Sequence, residues 1–249
     1  MKKLVTIYIL LFSVLGFSQS EELFSMANQA YQKAEYEKAI DLYEEILANG
    51  ESSSELYFNL GNAYYKMNQV APSIYNYEKA LQLDPEDEDI LNNIEFARNM
   101  AIDDIEEIER TGISQWFNDL ISGHSASGWA VYAVVFSVLF VIFFLLYYFA
   151  GAPLRKRIFL GLAAVSLLIC IATIIFAFQR KAYISNNKFA IIFEEEIEVR
   201  DEPNLRGEPG FNLHEGTKAK VLEDFQEWTR IELANGGQGW VKTSELKKL

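Results

Sequence analysis

The chain has 249 residues, half of them hydrophobic, and a formal net charge of −13, a length that suits two or three small modules. The negative charge is concentrated in residues 19–128, where 22 Asp and Glu residues stand against 6 Lys and Arg residues, a net charge of −16. A field of that sign repels phosphate backbones and excludes nucleic-acid binding as a function, and the single cysteine, Cys170, excludes an intramolecular disulfide.

The N-terminus has the pattern of a secretion signal over residues 1–18. Two lysines precede an apolar run, residues 4–17, that is shorter than a bilayer span requires. Small residues at the end of this run favour cleavage after Ser18, with cleavage after Ser20 as a second candidate. An uncleaved N-terminal anchor is the alternative interpretation.

Residues 20–53 and 54–87 align with each other at an offset of 34 positions. Small residues alternate with aromatic ones at matched positions, so that two helices can approach closely while rings fill the space between them. Asp84-Pro85 is expected to end the fourth helix, because proline disfavours helical backbone at the preceding residue. The second copy resembles the tetratricopeptide repeat in two motifs, Leu60-Gly61-x-x-Tyr64 and Tyr77-x-x-Ala80-Leu81.

The segment that follows, residues 86–109, is predicted to be a helix that caps the repeats. Its apolar positions recur at helical spacing: Ile90, Leu91, Ile94, Ala97, Met100, Ala101, Ile105 and Ile108. We therefore assign residues 20–110 to an all-α tetratricopeptide solenoid with a capping helix.

Two uncharged apolar stretches of 21 residues, 130–150 and 158–178, are each long enough to cross a bilayer at about 1.5 Å per residue. The loop between them, residues 151–157, contains three basic residues, which favours the cytoplasmic side. The preceding segment, residues 111–129, is predicted to be a linker with a short interfacial helix. Together with the N-terminal signal, this pattern predicts a two-helix transmembrane hairpin in the inner (cytoplasmic) membrane, with both soluble modules on the periplasmic side.

The C-terminal residues 186–249 are rich in β-branched and aromatic residues, in short runs separated by turn residues. Strands are predicted over residues 189–193, 196–200, 219–225, 228–233 and 239–242. Residues 204–210 are predicted to be a turn and His214 a surface turn residue, whereas Trp228 and Trp240 are expected to fill the small core.

The C-terminal motifs are similar to those of bacterial SH3-like domains, which implies a small all-β SH3-like barrel: Val199-Arg200, Gly216-Thr217-x-x-x-Val221, Trp228-x-x-Ile231 and Gly239-Trp240-Val241.

The order of these segments resembles the BatE family, the tetratricopeptide proteins of the Bat aerotolerance operon of Bacteroidetes and spirochaetes. The resemblance lies in the succession of signal, repeat pair, acidic cap, hairpin and SH3-like tail. It implies partners that include von Willebrand A-type membrane proteins and a MoxR-type ATPase. It also implies a role in envelope stress or aerotolerance.

No segment has the pattern of a catalytic or metal site. His124 lies in a serine-rich stretch, but no acidic residue is near it in the sequence and no serine has a nucleophile-elbow pattern. The acidic runs at residues 84–89 and 103–109 lack the spacing and central glycine of a calcium loop. We expect no catalytic residue, no metal site and no cofactor.

The inner face of the repeats is the best candidate for a site. Helical spacing directs a polar and aromatic set of side chains toward this face: Asn28, Tyr31, Phe58, Asn62, Tyr65 and Lys66. Amide groups can bond to the backbone of an extended peptide, and tyrosines provide stiff contact area. Tyr43, Tyr64 and Tyr77 are expected to lie in the core instead.

The leading hypothesis is a non-catalytic membrane-anchored adaptor that binds protein partners through the repeats and the SH3-like module. The alternative is a cell-wall module that binds peptidoglycan through the C-terminal domain. An enzyme would need a polar cluster that the sequence lacks, and a transporter would need polar residues within the spans.

Overall fold

The structure is a computed structural model that describes residues 20–105 and 112–249. The predicted signal peptide, residues 1–18, lies outside the described residues. The described chain divides into two compact units. One contains residues 20–105 together with residues 189–249, and the other contains residues 112–188.

Within residues 20–105 the chain forms helices α1 (residues 20–32), α2 (Tyr36–Ala48), α3 (Ser54–Lys66), α4 (Val70–Leu83) and α5 (Glu88–Arg98). Ser53 caps α3 by accepting a hydrogen bond from the backbone N–H of Leu56 at 3.0 Å. The turns after α1 and α3 each need one residue with positive φ, and Ala34 and Asn68 occupy these positions 34 residues apart. The predicted end of α4 is confirmed, since the helix stops at Leu83.

Close packing of α3 against α4 depends on the absence of a side chain at Gly61. A Cβ atom at this position would lie 2.8 Å from ring carbons of Tyr77. The Ser73 hydroxyl, wholly buried, donates a hydrogen bond of 3.0 Å to the carbonyl oxygen of Gly61. The glycine of the repeat motif therefore serves contact between the helices, as the alternation of small and large residues predicts.

The capping helix is shorter than predicted. Helix α5 ends at Arg98, whereas the prediction ran to Glu109 and placed Ile105 on the helical face. Residues 99–105 are not helical, and Ile105 packs against the core of the C-terminal sheet. Contacts made by Asp103 with the sheet, described below, draw the chain away from the helix axis.

The C-terminal residues form one seven-stranded antiparallel sheet in the order β3-β2-β6-β5-β4-β1-β7. Its strands are β1 (Phe189–Ile192), β2 (Glu196–Arg200), β3 (Pro209–His214), β4 (Lys218–Phe225), β5 (Trp228–Glu232), β6 (Gln238–Lys242) and β7 (Leu246–Lys248). The five predicted strands are present with small shifts at their ends, and the antiparallel β module is confirmed. Its classification as an SH3-like barrel stays a prediction.

Two strands were not predicted. Strand β3 begins inside the predicted turn, residues 204–210, and continues to His214, which was predicted to be a turn residue. Proline is tolerated there because β3 pairs only with β2 and lies at an end of the strand order. Strand β7 has a lysine-rich sequence with no strand pattern, and it forms by pairing with β1.

The two tryptophans of the sheet differ in burial. Trp228 is buried, as predicted. Trp240 is only half-buried, and its ring contacts the exposed ring of Phe225 edge-on at 6.4 Å. The expectation that Trp240 fills the core is therefore wrong, because aliphatic side chains such as Ile192, Ile231 and Val241 occupy that space.

The repeats and the sheet share a continuous apolar contact. Ile191 of β1 is wholly buried in the same cluster as Val70 and Ile74 of α4. At Gly216 of the turn before β4, a Cβ atom would lie 2.9 Å from Val70 and 3.0 Å from Ile74. Two modules that are separate in the sequence are thus a single packed unit.

A buried carboxylate joins the same two modules. Glu78 of α4 accepts hydrogen bonds of 2.7 Å from Lys218 of β4 and from Arg98 of α5. Its side chain is only 7% exposed. Burial by itself would raise the pKa of Glu78, but the charges of Lys218 and Arg98 outweigh this effect and lower the pKa below 4.5.

Asp103, after α5, makes a second polar contact with the sheet. Its carboxylate accepts hydrogen bonds from the backbone N–H of His214 at 2.7 Å and from the Thr217 hydroxyl at 2.5 Å. The Nδ1 atom of His214 lies 2.7 Å from the other oxygen of this carboxylate. The hydrogen bond to Asp103 raises the pKa of His214 above 6.5.

This contact predicts a dependence of stability on pH. A raised pKa in the folded state means that the contribution of His214 is fully present below pH 6.5 and is lost as the pH rises through the raised value. We expect the urea midpoint of the full chain to fall over that interval. His214→Gln is expected to abolish the change, and Asp103→Asn is the matched control that should abolish it equally. A change that persists in both variants would assign it to other groups.

The second unit contains α6 (Ile113–Ser122), α7 (Ala126–Phe149) and α8 (Pro153–Asn186). Helices α7 and α8 pack against each other, and both are long and apolar enough to cross a membrane by length and composition. The predicted basic loop, residues 151–157, is corrected in one respect. Its three basic residues lie in the first two turns of α8, because Pro153 starts that helix at a position where its missing N–H costs nothing.

Candidate partner-binding site

A cavity of about 240 Å³ lies on the face formed by the first helix of each repeat and by α5. Its lining is polar and aromatic: Tyr31, Asn62, Tyr65, Lys66, Tyr77, Asn93 and Phe96. The volume is below that of most small-molecule pockets, which measure roughly 300–1,000 Å³. It suits one or two side chains of a bound segment better than a whole cofactor.

The first repeat contains a hydrogen-bonded triplet beneath this face. The Tyr43 hydroxyl donates to the side-chain oxygen of Asn28 at 2.5 Å, and the Asn59 amide donates to the same oxygen at 3.3 Å. Tyr43 is 1% exposed, as predicted, and burial raises its pKa, so the hydroxyl remains a donor. The triplet ties α1, α2 and α3 together.

The same triplet recurs 34 residues further on. The Tyr77 hydroxyl donates to the side-chain oxygen of Asn62 at 2.7 Å, and the Asn93 amide donates to it at 2.8 Å. Burial likewise raises the pKa of Tyr77. Helix α5 therefore occupies the place of the first helix of a third repeat, with Asn93 equivalent to Asn59.

These triplets change the expected role of the asparagines. The side-chain oxygens of Asn28 and Asn62 accept two internal hydrogen bonds each. For a bound peptide, the amide N–H groups are the atoms able to donate. Asn62 lines the cavity, whereas Asn28, its equivalent in the first repeat, does not.

The predicted aromatic residues lie at two depths. Tyr31 and Tyr65 are half-buried and line the cavity, with the Tyr31 ring 5.4 Å from that of Tyr36. Phe58 is half-buried and packs on Tyr77 at 6.0 Å, so it supports the site from below. Tyr64, which was expected in the core, is only half-buried and donates its hydroxyl to Glu44 on α2.

The cavity is weakly basic at one edge. Lys66 is exposed, and its ammonium group lies 5.9 Å from the centre of the Tyr65 ring. Among the residues that the structure describes, it is the only charged one in the lining. A single lysine can bond to a carboxylate or a backbone carbonyl of a ligand, but it cannot form a clamp of several cations.

The contribution of α5 to the cavity was not predicted from the sequence. Asn93 and Phe96 complete the lining, and Phe96 is 60% exposed. The signal was present, because Phe96 lies 34 residues after Asn62 and Asn93 lies 34 after Asn59. The offset of 34 residues therefore continues into α5, beyond the two repeats that the sequence motifs define.

Comparison with known proteins agrees with the repeat geometry. Residues 54–87 match the family model of the tetratricopeptide repeat, so the chain contains such a repeat over α3 and α4. No curated protein matches the chain.

Among solved structures, the chain is similar to the crystal structure of the Sgt2 TPR domain from Aspergillus fumigatus, with 29% identity and a TM-score of 0.32 over 33% of this chain and 54% of that one. It is also similar to an NlpC/P60 family protein from Bacillus cereus, with 17% identity and a TM-score of 0.22 over 28% of this chain and 23% of that one. The chain thus spans about half of the first structure and a quarter of the second.

Proposed function

We propose that the protein is a non-catalytic, membrane-anchored adaptor that holds a segment of a partner protein on the inner face of its repeats. The observation that carries this proposal is the cavity shared by α1, α3 and α5, with the exposed ring of Phe96 at its rim. Tetratricopeptide repeats mediate contacts between proteins, and the match at residues 54–87 supports this class of function.

The charge of the repeats indicates the chemistry of the partner. Residues 19–128 carry a net charge of −16, so a segment with basic residues would be attracted to the surface around the cavity. Aromatic side chains at the cavity would contact its apolar residues. The resemblance to BatE proteins suggests von Willebrand A-type membrane proteins and a MoxR-type ATPase system as candidate partners, in an envelope-stress or aerotolerance complex.

The membrane part of the proposal is supported by the contact between the repeats and the sheet. Glu78 and Lys218 form an ion pair although α7 and α8 lie between them in the sequence. A chain that enters a membrane at α7 must therefore return to the same side before β1. Two spans satisfy this requirement, and the basic first turns of α8 favour the cytoplasmic side for the connection. We propose the periplasm for both soluble modules.

Thiol labelling tests this topology. In a Cys170→Ala background, a cysteine at Ser52 or Leu205 is expected to react with an impermeant thiol reagent in intact spheroplasts, and one at Leu154 is not. Leu205 and Leu154 are 70% and 69% exposed in the structure, so a difference between them reports the side of the membrane and not burial. Reaction at Leu154 but not at Ser52 or Leu205 would mean that the topology is the reverse of the proposed one. Equal reaction at Leu154 and Leu205 would exclude the hairpin.

Photocrosslinking tests the binding face. A benzoylphenylalanine at Phe96 is expected to crosslink the partner in membranes, because this side chain lines the cavity and points into solvent. Raising the salt concentration is expected to lower the yield, since part of the attraction is screened.

Leu91 provides the matched control, because it is an exposed residue of the same helix that does not line the cavity. Crosslinks to the same protein from both positions would mean that α5 contacts its neighbours without using the cavity. Substitution of Lys66 with Ser removes a positive charge from an acidic surface, so it should raise the Phe96 crosslink to a basic segment while leaving the urea midpoint within the error of wild type. A loss of the crosslink in that variant would contradict the charge argument.

A second candidate function rests on the half-buried Trp240 and the exposed Phe225, whose rings form an edge-on pair. Such a pair offers a stacking surface for a sugar of peptidoglycan. Trp240→Ala is expected to reduce binding of the full chain to purified sacculi if this function is present. Unchanged binding of the Trp240→Ala variant to sacculi would contradict this second function. Contact with a protein partner would then remain the proposed function of the C-terminal module.

A further inference from the structure

Arg180 of α8 is a charged side chain in an apolar unit. It is only 9% exposed, and its Nε atom is buried without a hydrogen-bond partner in the part of the chain that the structure describes. Burying a guanidinium group with an unpaired N–H costs free energy unless another group accepts the bond. A residue in this state indicates an acceptor that the described residues do not provide.

The unit itself offers almost no anion. Asp119 is the only acidic residue in residues 112–188, and it does not accept a hydrogen bond from the Nε of Arg180. The contact made by the guanidinium is with the ring of Tyr183, at 6.0 Å from its centre. This cation–π contact uses the flat face of the guanidinium. It does not supply a hydrogen-bond acceptor for the N–H groups at the edge.

The length of α8 determines the depth of Arg180 in a bilayer. Residues 158–178 are uncharged and 21 in number, which corresponds to about 31 Å of helix, the thickness of a hydrocarbon core. Arg180 follows two residues later, at the end of α8 that leads into β1. This end is opposite to the basic turns that begin the helix, so a span over residues 158–178 would place Arg180 at the level of the lipid phosphates.

Aromatic residues around Arg180 fit the same level. One helical turn before it, the Phe176 ring lies 5.1 Å from that of Trp129, and the His124 ring lies 5.0 Å from that of Trp129. The indole N–H of Trp129 donates to the carbonyl oxygen of Ile121, which ties the end of α6 to α7. Tryptophan and tyrosine are enriched where a membrane helix meets the headgroups.

We propose that Arg180 binds the phosphate of a phospholipid in the leaflet on the side of the repeats and the sheet. The planar guanidinium can offer Nε–H and one Nη–H in parallel to two oxygens of a phosphate when the side chain turns outward, since Nε is enclosed by the protein in this structure. This inference rests on the proposed membrane anchoring and adds a specific lipid contact to it.

Native mass spectrometry of the detergent-purified full chain measures the contact. Phosphatidylglycerol is titrated as the probe, and dioleoylglycerol serves as a lipid without phosphate. We expect wild type to retain one phosphatidylglycerol more tightly than any dioleoylglycerol. Arg180→Gln is expected to weaken that binding at least about tenfold, as loss of a charged hydrogen bond does. Arg180→Lys, which keeps the charge but lacks Nε–H, should lie between the two.

Lys181→Gln is the matched control, since Lys181 is the exposed neighbour of Arg180 and its loss removes the same charge. Equal weakening of phosphatidylglycerol binding in Arg180→Gln and Lys181→Gln would contradict a specific site at Arg180. It would assign the binding to the general positive charge of this surface. Unchanged binding in Arg180→Gln would also overturn the site, and displacement of the lipid by millimolar inorganic phosphate would assign the site to a free anion. Extraction of the protein from membranes by alkaline carbonate would refute the anchoring itself, whereas failure of lipid binding alone would leave the anchoring intact.

Discussion

Tyr77→Ala is expected to lower the free energy of unfolding of the unit formed by the repeats and the sheet by about 3–5 kcal/mol, as deletion of a buried aromatic ring does. The ring is 1% exposed, lies against Gly61 and Phe58, and carries a hydroxyl that donates to Asn62. Tyr77→Phe is expected to cost only about 1 kcal/mol, because it removes the hydrogen bond and keeps the ring.

Pulse proteolysis in urea, applied to the full chain in detergent, measures these changes without excision of either module. Tyr36→Ala is the control, since Tyr36 is a half-buried tyrosine whose ring contacts Tyr31 at the surface of the same helical array. A loss no greater for Tyr77→Ala than for Tyr36→Ala would show that the packing of α3 on α4 is not as described.

A double-mutant cycle makes the test more specific. Gly61→Ala is expected to cost about 1–3 kcal/mol, because the new methyl group would lie 2.8 Å from the Tyr77 ring. In a Tyr77→Ala background the same change should cost much less, since the ring is gone. Additive effects would mean that Gly61 and Tyr77 do not contact each other.

Lys218→Met is expected to destabilise the same unit by about 3 kcal/mol at pH 7, because it leaves the buried carboxylate of Glu78 with Arg98 alone. The double variant Glu78→Met, Lys218→Met should be more stable than Lys218→Met, since the remaining Arg98 is 53% exposed and can be hydrated. Removal of Lys218 alone is thus expected to cost more free energy of unfolding than removal of both Glu78 and Lys218.

The dependence on pH provides an independent check. The pKa of Glu78 is lower in the folded state than its unfolded value of 4.5. Its ion pairs therefore contribute fully to the free energy of unfolding above pH 4.5, and this contribution is lost as the pH falls through the lowered pKa. The difference between wild type and Lys218→Met is therefore expected to shrink below about pH 4.5.

Arg230→Met is the control for a surface pair. Arg230 and Glu223 lie 3.2 Å apart with both side chains well exposed, so the change is expected to cost less than about 1 kcal/mol. If Lys218→Met costs no more than Arg230→Met, the carboxylate of Glu78 is hydrated and the sheet is not held on the repeats by this contact.

Lys218→Met also bears on function. The sheet packs on α4 and on the segment after α5, while the cavity lies on the face of α1, α3 and α5. A loosened sheet would free the end of α5, and with it Asn93 and Phe96. Partner crosslinking from Phe96 in this variant would therefore report whether the C-terminal module serves to hold the third side of the binding face in place.

Local patterns in the sequence were sufficient for the helices of the repeats. The alternation of small and aromatic residues predicted close packing of the helices, which the structure shows at Gly61 and Tyr77, and helical spacing directed Tyr31, Asn62, Tyr65 and Lys66 to one face. Each inference used only residues within one or two helical turns or one repeat, where periodicity specifies direction. The role of these residues in binding a partner stays a prediction.

Contacts between distant segments could not be obtained in this way. Asp103 and His214 are 111 positions apart, and no periodicity relates them. Their contact, with that of Thr217, lies in the non-helical segment after Arg98, where Ile105 packs against the core of the sheet. The extra strands β3 and β7 arise for the same reason, because an edge strand is specified by its neighbour and only weakly by its own residues.

The sequence by itself therefore determined the kinds of element: helical pairs of a tetratricopeptide repeat, two apolar helices of membrane length, and short antiparallel strands. Hydrophobic periodicity and helix-ending residues act over a few positions, and they specify an element before it meets any other. Only the tertiary structure decided that the repeats and the sheet are one unit, that Glu78 is a buried ion-pair centre, and that the Nε atom of Arg180 has no acceptor among the described residues. Burial and pairing depend on which surfaces meet, and here those surfaces come from segments on either side of α7 and α8.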